Sequence, residues 1–142
     1  MIDPALLALE HDEDLGWWID PKDADPRSEE KRQTAFLRLA KALCPAVDIF
    51  AVPNGAKRSQ WEAAKAKREG VKAGALDLVC TWANGGVAFI EMKSGTRMPD
   101  ANQRERLNRL TRQSHLCGVF RQEKSAIDFL RCNGAPFIGA TS

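Results

Sequence analysis

The sequence predicts an α/β domain, a mixed β-sheet with helices on its faces and the core order αβββαβ. Three observations carry that expectation. Short apolar runs bounded by turn residues alternate with stretches of helical periodicity. Two of the runs, Leu76 to Trp82 and Val87 to Lys93, are joined by Asn84-Gly85-Gly86, a strong hairpin signal. A length of 142 residues with 44% apolar and 28% charged side chains is that of one ordinary globular domain with its own core.

The first helix is expected over Glu29 to Leu43. Ser28 can cap it, the acids at its start suit the positive helix end, and Phe36, Leu37, Ala40 and Leu43 form one apolar stripe. Pro45 stops it. Val47 to Val52 reads as a short strand ended by Pro53-Asn54-Gly55. Residues 59–69 are helix-like, basic and weakly apolar, and Gly70 and Gly74 bracket a loop. After the hairpin, Asp100 can cap a helix running to about Gln113, with Leu107 and Leu110 inward. Leu116 to Arg121 reads as a strand. Ser125 is expected to cap a last helix that ends at Asn133-Gly134.

Charge is divided along the chain. Residues 1–30 carry −8 and residues 31–142 carry +10, which the net +2 conceals. The densest basic stretch runs from Lys57 to Lys72 and a second from Arg97 to Arg112. Such surfaces attract polyanions, nucleic acid first; the plainer alternative is two solvated helix faces. The acidic head also holds Trp17, Trp18 and Ile19, a composition that packs, on its own domain or on a neighbour. The domain boundaries expected are an acidic N-terminal extension over 1–28 and the α/β domain proper over 29–142.

Several classes are set aside. No apolar run approaches a membrane span, and the acidic N-terminus does not read as a secretory signal, so a cytoplasmic protein is expected. Cys44, Cys80, Cys117 and Cys132 are far apart and are expected as reduced, mostly buried thiols; neither a disulfide ladder nor a zinc site fits their spacing. No phosphate-cradling GxxxxGK[ST] loop occurs, so no nucleotide cofactor is expected. His115 is read as a capping or partly buried residue and Trp61 as a packing residue rather than a base-stacking one.

The hairpin carries the chemistry. Leu76, Leu78, Cys80 and Trp82 share one parity, as do Ala88, Ile90 and Met92. Both sets must face the core together, because a one-residue slip would turn one of them to the wrong side. Paired positions then sum to even numbers, which requires an odd loop or a bulge. That register gathers Asp77, Glu91 and Lys93 on the opposite face. Two adjacent carboxylates repel unless something compensates them. A hard divalent cation does so: Mg²⁺ takes one or two carboxylates together with substrate phosphates, and polarises a phosphoryl oxygen. A lysine two residues beyond the glutamate points the same way and can position or deprotonate a water. The plainer alternative is a surface Glu–Lys pair and a polar residue at a strand entry.

These residues resemble a known family. Gly70-Val71-Lys72-Ala73-Gly74-Ala75-Leu76-Asp77, then Val87-Ala88-Phe89-Ile90-Glu91-Met92-Lys93-Ser94, then Gln103, are similar to the virus-type replication–repair nuclease (VRR-NUC) domain of the PD-(D/E)xK nuclease superfamily. Glu30 and Gln33 in the first helix, Pro53-Asn54-Gly55, Val119-Phe120-Arg121 and Gly134-Ala135-Pro136 extend the likeness over about residues 29–137. The family's usual proline before the aspartate is Leu76 here.

The resemblance implies a restriction-endonuclease-like fold and a metal-dependent DNA endonuclease. Asp77, Glu91 and the Met92 carbonyl would bind Mg²⁺ or Mn²⁺, Lys93 would be the catalytic lysine, and Gln103 would orient the site. Glu30 would reach in from the first helix; it is preferred to its rival Glu29 because position 30 lies near the 33/37 side of the apolar stripe. Phosphates would be held by Lys57, Arg58, Lys65, Lys67, Arg68, Arg104 and Arg109. A branched, flap or Holliday-junction substrate, a homodimer, and a phage or prophage context in replication, repair and recombination follow from the resemblance alone. The rivals are a non-catalytic DNA-binding module of the same fold and a small adaptor that docks through Trp17-Trp18. A further reading makes the acidic head an intramolecular DNA mimic, and deleting residues 1–25 is then expected to tighten DNA binding at low salt.

Overall fold

The computed structural model describes residues 14–53, 60–70 and 74–139. Nine elements follow one another: β1 (Trp18–Ile19), α1 (Glu29–Leu43), β2 (Asp48–Ala51), α2 (Gln60–Arg68), β3 (Leu78–Trp82), β4 (Gly86–Met92), α3 (Ala101–Arg112), β5 (Leu116–Phe120) and α4 (Glu123–Cys132). The strands form one mixed sheet in the order β1-β5-β4-β3-β2. β2, β3 and β4 are antiparallel neighbours, whereas β5 runs parallel to both β4 and β1.

The hairpin has the expected register. Leu78 faces Ile90 and Trp82 faces Gly86, which leaves a three-residue loop of Ala83, Asn84 and Gly85. Asn84 and Gly85 take the positive φ values, 68° and 78°, that such a loop needs. On one face of the sheet Leu78, Cys80, Ala88, Ile90 and Met92 pack with Phe36 and Ala40 of α1 and with Ala126, Ile127 and Leu130 of α4. On the other, Cys117 and Val119 of β5 pack with Leu107 and Leu110 of α3, Leu76 and Trp17, and Phe89 packs against them. Among the described residues no helix is long and apolar enough to cross a membrane.

Ser28 caps α1 by accepting a hydrogen bond from the Lys31 amide, as expected. The last helix corrects its expectation. α4 starts at Glu123, two residues before Ser125, and its N-cap Gln122 makes no side-chain cap bond. The buried carboxylate of Asp20 caps it from outside, accepting from the amides of Arg121 (2.7 Å) and Gln122 (3.3 Å) and from the Ser125 hydroxyl.

Asp20 belongs to the acidic head, whose described residues, 14–28, pack on the chain's own domain. Trp18 and Ile19 pair with Gly118 and Val119 as an edge strand. Trp17 is buried and donates its indole N–H to Asn108 of α3 at 3.0 Å. Asp23 holds the fully buried guanidinium of Arg32 through two bonds of 2.9 Å, and Arg32 also donates to the carbonyls of Arg27, Asp25 and Arg121. Deleting residues 1–25 would remove an edge strand, a helix cap and a buried ion pair, so that truncation reports on folding before it reports on binding. All three of Cys44, Cys80 and Cys117 are buried free thiols, and Cys132 is an exposed one; burial pushes the Cys80 thiol up to about 12.

Candidate active site

Asp77 sits just before β3, directly opposite Glu91 by continuation of the hairpin register. The two are linked reciprocally. The Asp77 amide donates to Glu91 Oε2 at 3.0 Å, and Asp77 Oδ2 accepts from the Met92 amide at 3.1 Å. Leu76, in the place of the family's proline, is 3% exposed and packs with α3, so apolar burial fixes the backbone there. Gly74 brings this loop against α3. Its φ is +79°, and a Cβ on it would lie 2.3 Å from the Asn102 carbonyl oxygen, so only glycine permits the approach.

Lys93 follows the end of β4, and its amide still bonds to the Phe120 carbonyl at 2.9 Å. Its side chain is buried, with Nζ 3.4 Å from Glu91 Oε1. Gln103 reaches the same oxygen. Its Oε1 accepts from the Asp100 amide and its own amide donates to Asp100 Oδ1, a closed capping box at the start of α3. The remaining side-chain group, Nε2, donates to Glu91 Oε1 at 2.6 Å. One glutamine therefore both fixes the helix end and holds the glutamate.

Glu91 is 1% exposed. Burial pushes its carboxyl up to about 8, the nearby Asp77 charge pushes the same way, and Lys93 opposes both. Among the described residues no group of three or more His, Cys, Asp and Glu side chains converges as a metal cage. The donor set nevertheless suits Mg²⁺ or Mn²⁺: two hard carboxylates whose mutual repulsion a cation would relieve, in the number Mg²⁺ commonly takes from a protein.

Four predicted site residues, Asp77, Glu91, Lys93 and Gln103, therefore meet in one cluster, and Met92 joins it through its backbone while its side chain lies in the core. Glu30 does not join them. It is exposed, whereas Glu29 is half-buried, with Oε1 shielded from solvent and accepting no hydrogen bond. Arg97 Nη1 lies 3.2 Å from that oxygen, an ion pair without hydrogen-bond alignment. The reason is the true inward stripe of α1, which is Arg32, Phe36 and Ala40; position 29 extends it and position 30 does not. A buried arginine on that stripe gave no apolar signal in the sequence.

Of the basic residues, Lys65, Lys67 and Arg68 are exposed on α2 and Arg109 on α3. Arg109 pairs with Glu105 at 3.3 Å, Lys65 with Glu69 at 3.9 Å, and Arg104 with Asp14 at 2.7 Å. Lys57 and Arg58 lie outside the described residues. Trp61 departs from its expected packing role: it is 67% exposed, with the Lys65 ammonium 5.6 Å from its ring centre. His115 is exposed and meets Phe89 edge-on at 5.8 Å. Sequence reasoning missed Arg121, whose fully buried guanidinium bonds to the carbonyls of Asp20 and Arg97, at 3.1 and 2.7 Å, and so ties down the loop after Lys93.

The sheet order, the flanking helices and the acid–acid–amine cluster on one sheet face define a mixed α/β domain of the restriction-endonuclease-like kind. A solved structure named "VRR_NUC domain protein" is similar to this chain, with a TM-score of 0.62 and 26% identity, over 76% of this chain and 88% of that one. No family model matches the chain, and no curated protein does. The likeness supports the VRR-NUC resemblance carried by the motifs.

Proposed function

We propose that this chain is a metal-dependent DNA nuclease that hydrolyses phosphodiester bonds, with Asp77, Glu91, Lys93 and Gln103 at its centre. The observation that carries this reading is their convergence: three chemically distinct groups held within hydrogen-bond or ion-pair distance of one buried carboxylate. The structural neighbour, a VRR_NUC domain protein, favours the same class.

Asp77, Glu91 and the Met92 carbonyl would hold Mg²⁺ or Mn²⁺. Such a cation supplies Lewis-acid polarisation of the phosphoryl oxygen and lowers the pKa of water. Lys93, 3.4 Å from Glu91, would orient the attacking water or neutralise charge developing on the phosphate. Gln103 keeps Glu91 in one rotamer. Lys65, Lys67, Arg68, Arg104 and Arg109 supply phosphate contacts that position a strand without reading its sequence. A branched or flap substrate, a homodimer carrying two sites, and a role in phage replication or repair complete the proposal.

The test is cleavage of labelled single-stranded, duplex, flap and four-way-junction DNA with Mg²⁺, with Mn²⁺ and with EDTA. Metal-dependent cutting is expected, lowered at least about a hundredfold by Lys93→Ala. Binding without cutting in every metal would overturn the enzyme and leave a non-catalytic DNA-binding module of the same fold.

A further inference from the structure

The sheet face that carries Asp77 and Glu91 also floors a cavity of about 450 Å³. Ala75, Leu76, Phe89 and Leu110 form apolar wall, and Glu69 and Arg106 are the charged residues of its lining. The cavity adjoins the acidic cluster twice over. Leu76 is the residue before Asp77, and Phe89 lies two positions before Glu91 on the same face of β4, roughly 7 Å along the strand. Whatever occupies it sits one short step from the reacting phosphate.

The lining narrows the choice of occupant. It is apolar and holds an aromatic ring, so it favours a flat group with a desolvated face. Arg106 is half-buried and makes no ion pair with any described residue, so a cation is left beside the apolar floor. Glu69, the acid of the lining, already pairs with Lys65. Apolar face and adjacent anion together describe one nucleotide: a base with its phosphate. In a duplex both faces of each base are stacked on neighbours. Only an unpaired or extruded base can enter a cavity of this kind.

We propose that this cavity receives an unpaired nucleobase of the DNA strand whose phosphate lies at Asp77 and Glu91. The inference rests on the nuclease reading of that site and extends it to the substrate: the strand is single at the point of cutting, as in a flap or a frayed junction arm.

The experiment compares two fluorescent 12-mers of equal charge, one of thymidine and one of stable abasic sugar-phosphate, by anisotropy in EDTA. The thymidine strand is expected to bind about tenfold more tightly, a typical worth for one stacked base. Ala75→Phe, at a half-buried loop position on the wall, fills the space and is expected to erase that difference, whereas Trp61→Ala leaves most of it. Photo-crosslinking of a 5-iodouracil strand to the unaltered protein locates the base without any variant, and an adduct in the peptide containing Phe89 is expected. Equal binding of the two strands by a protein that cuts DNA overturns the cavity inference and leaves the nuclease. A base preference that Trp61→Ala abolishes, with adducts at Trp61 alone, also overturns it. A cavity-dependent base preference in a protein that cuts nothing keeps the inference as a binding site and removes the nuclease.

Discussion

At the scale of single residues, Glu91 concentrates the chemistry. It is buried between a second carboxylate, an ammonium and an amide, and it keeps its proton to about 8 where an ordinary glutamate releases it near 4.5. Between those two values the folded, metal-free chain binds a proton that the unfolded chain has lost. Its contribution to stability is therefore complete below 4.5 and is lost as pH rises through about 8. Thermal melts in EDTA should show Tm falling across that window, and Glu91→Gln should flatten the fall. A variant with the same slope as the native chain would place the titration elsewhere. Asp23 has the opposite sign. Its two bonds to the buried Arg32 guanidinium hold its carboxyl down at about 2, so its contribution is present at neutral pH and is lost only in acid. Asp23→Ala would leave Arg32 enclosed without its carboxylate and should cost about 3 kcal/mol, measured by denaturant unfolding at pH 7.

At the scale of elements, the site is a product of register. Pairing Leu78 with Ile90 puts Asp77 opposite Glu91 with no further adjustment. The shared face was legible in the sequence, because apolar residues of one parity on both strands admit only registers that keep Asp77 and Glu91 on the same side; the exact pairing comes from the three-residue loop. The first helix and the Asp100 cap of α3 were legible for similar local reasons, whereas the closing of that cap into a box by Gln103 was not. What escaped depends on contacts distant in sequence. β1 is two residues long and lies among acids, so it carries no periodic signal, and only its pairing with Gly118 and Val119 of β5 shows where it belongs. Asp20 caps a helix that begins 103 residues later in the chain. The choice between Glu29 and Glu30 turned on Arg32 being inside. Gly74 was visible only as loop punctuation, yet it sets the distance between Asp77 and α3. Gly74→Ala should push that helix away, cost about 1–3 kcal/mol and depress cleavage more than unfolding alone explains. Activity that falls only in step with the folded fraction would reduce Gly74 to a stability residue.

At the scale of the whole molecule, the acidic head meets the basic body at several described ion pairs, and one of them, Asp14 with Arg104, engages a proposed phosphate contact with side chains 38% and 43% exposed. An exposed pair of this kind stabilises little, but on the proposed reading it would compete with a phosphate for the same guanidinium. Asp14→Asn should strengthen DNA binding severalfold at low salt, and the gain should fade as salt screens both interactions. Equal titration curves for the two proteins at low salt would remove the head from the binding surface. The sheet itself separates two tasks: α1 and α4 close the apolar face, and α3 closes the face bearing the acids.

That division has a practical consequence for the cysteines. Three thiols are inside and one, Cys132, is exposed at the end of α4, the helix on the side of the sheet away from Asp77 and Glu91. A maleimide dye would therefore attach at one place without mutagenesis and without crowding the carboxylates. The native chain comes with its own single-site reporter, ready for watching one molecule meet one strand.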